Sequence, residues 1–304
     1  MEPCIIVHGG AWDIPKDLWD SHRRGCSTAA NDGYSVLRKG GSAVDAVEVA
    51  VKSMEEDSTF DAGRGSFLNA DGEVEMDATI MDGDDLSFGA VAAVQHILHP
   101  VSLARQVMEK TQHCMLVGEG ALRFARSIGM PTVSQECLLT DRELRRWQEI
   151  KQRQSFEQRE LFDAARDRYS PKGTVGAVAM DHKGKIAAAT STGGTPNKMA
   201  GRVGDSPLVG CGNYADSKFA GVSATGWGEP MMKAVIARRV CHSIEDGMNA
   251  QEAGDEAIRY LEERVKGYGG VIILDKDGNL SHSNNTPRMA VAGINQHGER
   301  FEFI

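Results

Sequence analysis

Short apolar runs and longer stretches of helical spacing alternate along the chain, and glycine pairs punctuate them. Cys4 to His8 reads as a buried strand that stops at Gly9-Gly10. Leu18 to Lys39 is predicted to be a helix, with Gly40-Gly41 as its stop signal. Ser42 then caps a second helix, with Asp45 in capping-box position. Its apolar set, Ala43, Val44, Val47, Ala50, Val51 and Met54, recurs at helical spacing. Ser66 to Leu68 and Glu73 to Met81 read as two strands around the turn Asn69-Ala70-Asp71-Gly72. Phe88 to Val94 is a third, small and β-branched enough for a sheet interior. Short helices are predicted at Ser102 to Glu109 and Gly118 to Ser127.

From Thr140 to Ser170 charges of both signs alternate densely, as in Asp141-Arg142-Glu143-Leu144-Arg145-Arg146. The first half is compatible with a solvated helix, and the part approaching Ser170-Pro171-Lys172-Gly173 is predicted to be mobile. This linker, 140–173, is the one obvious internal boundary. Beyond it, Val175 to Met180 and Ile186 to Thr190 form a hairpin around Asp181-His182-Lys183-Gly184. A glycine-rich stretch from Gly193 to Gly228 precedes helices at Pro230 to Asp246 and Ala250 to Val265. Gly270 to Leu274, a turn at Asp275-Lys276-Asp277-Gly278-Asn279 and further strands close the chain. That order suggests two stacked sheets between helical layers, an α+β architecture.

At 304 residues, 41% hydrophobic and 25% charged, the chain can bury a substantial core as one large domain or two smaller ones. A net charge of -9 argues against a nucleic-acid or anionic-membrane partner. Cys4, Cys26, Cys114, Cys137, Cys211 and Cys241 lack the short spacings of zinc or redox motifs and read as small buried hydrophobes. The opening apolar run is too short for a signal peptide, and no run approaches the length that spans a bilayer. A reducing, cytoplasmic compartment is the expectation. His96, His99 and His113 are too loosely placed for a metal site, and Gly193-Gly194-Thr195-Pro196-Asn197-Lys198 lacks the run a phosphate loop needs.

The candidate chemistry centres on Gly173-Thr174-Val175-Gly176, where a charged linker meets a buried strand. Alone, Thr174 would be an ordinary β-branched residue starting a strand. If the chain is cut before it, its hydroxyl becomes a nucleophile and its new α-amine, with a pKa near 8, the base that activates it. Gly173 tolerates the strained geometry such a cut needs. Thr190-Ser191-Thr192-Gly193-Gly194 ends the partner strand, so a hydroxyl there can lie beside Thr174. Arg202 and Asp205 can grip the carboxylate and ammonium of a free amino-acid group. Thr225-Gly226 supplies a hydroxyl and an N–H of the kind that form an oxyanion hole. His8 reads as structural.

These segments resemble the plant-type L-asparaginase/isoaspartyl peptidase family of N-terminal nucleophile hydrolases. Gly201-Arg202-Val203-Gly204-Asp205-Ser206-Pro207, Tyr214-Ala215-Asp216, His8-Gly9-Gly10-Ala11, Gly40-Gly41-Ser42-Ala43-Val44-Asp45-Ala46-Val47, Met76-Asp77-Ala78 and Ile80-Met81-Asp82-Gly83 carry the likeness further. It is greatest to the animal asparaginase-like enzymes. The resemblance implies a single four-layer αββα sandwich, cut between Gly173 and Thr174 into fragments 1–173 and 174–304 that stay associated as a dimer of heterodimers. It implies Thr174 as nucleophile, Thr192 as supporting hydroxyl, Thr225 and Gly226 at the oxyanion, and Arg202 with Asp205 as substrate anchors. Val203, Gly204, Trp227 and Gly228 would line the substrate site. No cofactor is implied beyond a structural sodium ion, held by backbone carbonyls of Met54, Glu55, Asp57, Phe60, Ala62 and Arg64. The substrates implied are L-asparagine and β-aspartyl dipeptides.

The chain departs from the family pattern in three places. Asp61 stands where the family usually has asparagine; an anion there would repel the oxyanion unless protonated or paired, so Asp61 is expected to slow or pH-gate self-cleavage or turnover. Trp227 stands where a smaller or polar residue is usual, and narrows the pocket or packs at the surface. Cys211-Gly212-Asn213 replaces a run of small residues. Competing readings are a glycosylasparaginase-like amidase, a threonine endopeptidase and an uncleaved binding protein that has kept the fold.

Overall fold

The computed structural model describes residues 1–153 and 173–304. The part of the linker read as mobile, up to Lys172, lies outside the described residues. Eight strands, β1 (Cys4–Trp12), β2 (Met76–Asp82), β3 (Phe88–Val94), β4 (Met115–Val117), β5 (Val175–Met180), β6 (Ile186–Thr192), β11 (Arg288–Ile294) and β12 (Arg300–Phe303), form one sheet. Its order is β12-β11-β1-β5-β6-β2-β3-β4. A second sheet, β10-β9-β8-β7, contains β7 (Asn213–Asp216), β8 (Ala220–Gly226), β9 (Gly269–Asp275) and β10 (Leu280–Asn284). Among the described strands, β3 and β4 alone pair in parallel.

Alternation along the strands builds the layers. Ile5, Val7, Val175, Ala177, Ala187 and Ala189 face outward onto α1 (Trp19–Arg38), α2 (Ala43–Glu56) and α3 (Pro100–Lys110). Ile6, Val178, Ile186 and Ala188 face the second sheet and meet Ala215, Ile272 and Leu274. The far side of that sheet, Val222, Ala224, Val271 and Ile273, packs on α7 (Gly228–Ala234), α8 (Ile236–Glu245) and α9 (Ala250–Val265). The result is the expected four-layer αββα sandwich. Each buried aliphatic side chain contributes about 1.5–3 kcal/mol, so a one-residue slip of β5 would cost several such terms. Ser42 and Asp45 form the anticipated capping box of α2.

Five expectations need correction. β1 does not stop at Gly9-Gly10: it continues to Trp12 through a bulge between His8 and Ala11, with Gly10 at φ +105°. The strand pair around Asn69 shrinks to one bridge, Leu68 with Val74, and β2 starts at Met76. Asn69 Oδ1 takes the N–H groups of Asp71 and Glu73, which a ladder would otherwise use. The first half of the charged segment is α6 (Asp141–Lys151), but it is docked rather than solvated: Glu143 and Ile150 are buried, and Glu143 pairs with Arg142 and Arg146. Cys114 and Cys137 are exposed; the other four cysteines are buried. The helix read as Pro230 to Asp246 is two helices.

The break lies at Val235, which is left-handed at φ 49° and ψ 51°. A β-branched residue in this region is strained, and Val235 is 44% exposed, so little packing offsets the strain. Val235→Asn is therefore expected to raise stability by about 1 kcal/mol, read as a higher melting temperature. An unchanged or lower temperature would mean that the valine's contact with Gly210 outweighs its strain.

Candidate active site

The same alternation gathers polar side chains between the sheets at one end. On β5 and just before it, Thr174, Gly176 and Val178 share the inner face. A Cβ built on Gly221 of β8 would fall 2.5 Å from Val178 Cγ1, and one on Gly176 would fall 2.0 Å from Ser223 Oγ. Two residues further along β8, the same alternation puts Thr225 on the inner face at the end of the sandwich where Thr174 lies. On β6, Thr190 and Thr192 look inward, whereas Ser191 looks outward and donates to Glu55 of α2 at 2.7 Å.

Thr174 is buried, and its Oγ1 donates to Thr192 Oγ1 at 3.1 Å. Ser206 Oγ lies 3.5 Å from Thr174 Oγ1. Thr192 Oγ1 also accepts the Gly194 N–H at 2.9 Å and reaches Asp61 Oδ2 at 3.5 Å. Gly173 is pressed onto the β1 bulge: a Cβ built on it would lie 2.1 Å from Gly10 Cα. No side chain fits at either glycine, so the peptide entering Thr174 is held by backbone against backbone.

Two buried titratable groups flank the pair. Asp61 accepts the Phe67 N–H at 3.0 Å, and burial, helped by Glu143, pushes its carboxyl well above the ordinary range against the Phe67 bond, Lys198 and Arg146. The neutral acid is thereby favoured, which limits the repulsion of an oxyanion expected from a carboxylate here. His8 Nε2 contacts Ser223 Oγ at 2.8 Å, and Ser223 contacts Thr190 Oγ1 at 2.8 Å. Burial pushes the His8 imidazole down to about 3, against the opposing influence of the Thr174 backbone. A neutral, wedged imidazole fits the structural role expected of it.

The two charged candidates also converge. A Cβ on Gly228 would lie 3.0 Å from both Arg202 Nη2 and Asp205 Oδ1, so the glycine stands at the fork between them. Asp205 is buried, and its Oδ2 has no hydrogen-bond partner among the described residues. Burial, with Glu229 and Asp77 adding to it, raises its pKa to about 7 although Arg202 opposes the shift. Thr225 Oγ1 is likewise buried without a partner. An unsatisfied acceptor and an unsatisfied hydroxyl in a protein interior are costly unless a ligand completes them. Arg202 differs from expectation: Nε and Nη2 already fork onto Glu229 at 3.0 Å each, leaving Nη1, beside Gly204, as the edge for a ligand carboxylate. Val203 lies between these anchors in sequence. Trp227 caps α7 and donates its backbone N–H to Tyr268 O at 2.9 Å, which keeps it beside Gly226.

The loop after α2 is the segment expected to hold a cation through backbone oxygens. Its start is the negative end of a helix whose last carbonyls lack helical partners. A Cβ on Gly65 would fall 2.8 Å from Phe60 O and 3.0 Å from Ser58 O, and one on Gly63 would fall 2.3 Å from Glu55 O. Phe60 O and Ser58 O thus crowd one glycine and Glu55 O the other, carbonyl oxygens being the kind of ligand a hard cation takes. Glu55 O and Asp57 O already accept the Arg64 and Phe60 N–H groups, and Arg142 reaches Ser58 O. Among the described residues no group of three or more His, Cys, Asp or Glu could hold a metal ion. His99 instead bridges Glu55 and Glu56.

Four residues escaped the sequence reading: Ser206 near the nucleophile, Glu229 on Arg202, and Glu143 and Arg146, whose charges act on Asp61. Ser206 stood inside a quoted motif, but only folding puts its hydroxyl at Thr174. Within Cys211-Gly212-Asn213, a Cβ on Gly212 would fall 2.5 Å from Ser206 Cα, and Asn213 Nδ2 donates to Thr79 O at 3.2 Å. Lys198 is buried and donates to Glu75 O at 2.8 Å, so its glycine-rich neighbourhood is not a phosphate cradle.

Fold and site together define an α+β sandwich hydrolase of the N-terminal nucleophile type. The chain matches the asparaginase family over residues 1–302 and belongs to it. It is 48% identical over 309 residues to a Danio rerio protein named isoaspartyl peptidase/L-asparaginase, covering 99% of this chain and 97% of that one. The Homo sapiens protein of that name is 51% identical over 91% of this chain and 88% of its own. The Xenopus laevis one is 46% identical over 97% and 93%.

The His8 geometry has a measurable consequence. Its folded pKa of about 3 lies below the ordinary 6.5, so its contribution to stability is complete above pH 6.5 and is lost as the pH falls toward 3. Ring-nitrogen NMR should show His8 neutral at every pH from about 8 down to about 5, a range in which an ordinary histidine titrates. A midpoint near 6.5 would contradict the burial argument.

Proposed function

We propose that this chain hydrolyses L-asparagine to L-aspartate and ammonia, and β-aspartyl dipeptides to their amino acids, after cutting its own backbone between Gly173 and Thr174. The observation that carries the reading is the buried Thr174 hydroxyl, bonded to Thr192 directly after a glycine pinned on Gly10. The names of the relatives support the same substrates. In the uncut chain, Thr174 Oγ1 attacks the Gly173 carbonyl, the peptide nitrogen leaves as an amine, and water hydrolyses the ester. The new amine then serves as base. Thr174 attacks the substrate's side-chain carbonyl, Thr225 Oγ1 and the Gly226 N–H stabilise the oxyanion, ammonia or an amino acid leaves, and water releases aspartate. Arg202 and Asp205 hold the α-carboxylate and α-ammonium, while Thr192 fixes the nucleophile.

The finer points of the proposal rest on the family likeness and on lesser observations. Fragments 1–173 and 174–304 contribute strands to one sheet, β1 beside β5, which supports their staying together after the cut. Two such pairs would form the dimer. Six free thiols, four of them buried, suit a reducing cytoplasm. A sodium ion held by backbone carbonyls of residues 54–64 would brace the loop that carries Asp61. No helix among the described residues is long and apolar enough to cross a membrane.

Intact mass spectrometry at neutral pH tests the first step. Two fragments dividing before Thr174, absent in Thr174→Ala, are expected; a chain that stays whole would favour the uncleaved binding protein. For the mature enzyme, Thr225→Val should lower kcat about 100-fold with a much smaller effect on KM. Asp205 must be ionised to accept an ammonium, so KM for asparagine should fall as the pH rises through about 7, and Asp205→Asn should remove that dependence. A KM independent of pH in the wild type would separate Asp205 from the substrate amine.

A further inference from the structure

We propose that Ser206 is a further catalytic hydroxyl, which donates a hydrogen bond to Thr174 Oγ1 and stabilises that oxygen as it leaves an ester. The proposal rests on the hydrolytic reading above and assigns Ser206 to one step of it.

The inference comes from counting protons around the nucleophile. Both lone pairs of Thr192 Oγ1 are taken, by Thr174 Oγ1 and by the Gly194 N–H, so it cannot accept the proton of the neutral Asp61 acid, and its own proton has Asp61 Oδ2, 3.5 Å away, as its acceptor. It has nothing left to give to Thr174. Ser206 is 1% exposed, and Thr174 Oγ1, 3.5 Å away, is the hydrogen-bond partner of its hydroxyl among the described residues. Since the Thr174 proton is directed at Thr192, the Ser206 proton has the Thr174 oxygen as its acceptor. The separation exceeds that of a formed O–H···O bond by about 0.5 Å, the looseness expected before the reacting complex forms.

The fold holds Ser206 there by its backbone. Thr79, on the inner face of β2, donates to Ser206 O at 2.9 Å. Two residues earlier on the same face, Asp77 Oδ2 takes the Gly204 N–H at 3.4 Å. Strand β2 thus fastens the segment on both sides of Asp205, and Gly212, lacking a Cβ, lets it lie flat. Thr79 is a positioning residue for Ser206.

The chemistry follows from which bond breaks. In the acyl-enzyme, the aspartyl carbon is bonded to Thr174 Oγ1. Water adds to that carbon and gives a proton to the Thr174 α-amine. The carbon–Oγ1 bond then breaks with its electron pair on Oγ1. The Ser206 hydrogen bond stabilises that pair until the proton held by the amine completes the hydroxyl. Ser206 keeps its own proton throughout. The Gly173 ester of self-cleavage breaks at the same oxygen and draws on the same bond.

Ser206→Ala and Thr79→Val test this, with ammonia and aspartate followed separately from the first turnover on asparagine. Ser206→Ala should release one ammonia per site in a burst, then turn over at least about tenfold more slowly, with KM reduced as the acyl-enzyme accumulates. Thr79→Val should show the same burst more weakly. If Ser206→Ala stalls before maturation, the stalled chain should carry an ester that hydroxylamine cleaves at Gly173. Wild-type rates in Ser206→Ala, a slowed rate without a burst, or a stalled chain inert to hydroxylamine would each overturn the assignment. A wild-type enzyme that releases no ammonia would overturn the hydrolytic reading itself, and this proposal with it.

Discussion

The site depends on how closely the two sheets approach at their polar end, and missing β-carbons set that distance. Gly176 lets Ser223 lie directly on β5, and Gly221 lets β8 lie on Val178. With any larger residue at either position the sheets would separate, carrying Thr225 away from Thr174. The same device recurs where loops meet strands, at Gly173 on Gly10 and at Gly212 on Ser206. Apolar packing of Ile6, Val178, Ile186 and Leu274 closes the other end of the sandwich and holds these contacts in place. A stable core thus holds Thr192 and Thr225 on strands and Thr174 directly before β5, while Arg202, Asp205 and Ser206 come from the loop between β6 and β7.

Exclusion of water then determines the electrostatics. Burial is the largest influence on His8, Asp61 and Asp205, and in each case it favours the uncharged form. A site of neutral groups beside a hydroxyl nucleophile leaves the α-amine, once formed, as the natural base. Asp205 differs from the other two because its raised pKa coexists with an unsatisfied oxygen and the nearby Arg202, a combination that an arriving ammonium would relieve. Helix α6 enters this picture unexpectedly: the charge alternation that marked it as solvated instead brings Glu143 and Arg146 near enough for their charges to act on Asp61.

Much of this was legible along the chain. Strong local signals came through almost unchanged: the capping box at Ser42, the strands Phe88 to Val94 and Val175 to Met180, and the four-layer order. Signals failed where a residue's partner lies far off in sequence. Gly9-Gly10 looked like a stop because glycine usually ends a strand, but here it forms the bulge that receives Gly173. Strand β8 was hidden in a glycine-rich stretch because Ala220 to Gly226 is small rather than hydrophobic, and its smallness is what tight sheet packing requires. No local rule places Val235 in a left-handed conformation.

The sequence by itself determined the family and most of the element order, and it nominated the chemical groups: Thr174, Thr192, Arg202, Asp205, Thr225 and Gly226. Each belongs to a contiguous motif whose meaning is local. Only the tertiary structure decided which hydroxyls meet. Ser206 and Thr192 both reach Thr174 Oγ1, Glu229 occupies two nitrogens of Arg202, and charges on α6 act on Asp61. Those relations follow from the alternation of strands in two facing sheets, in which a side chain's partner is set by register and layer rather than by its distance along the chain.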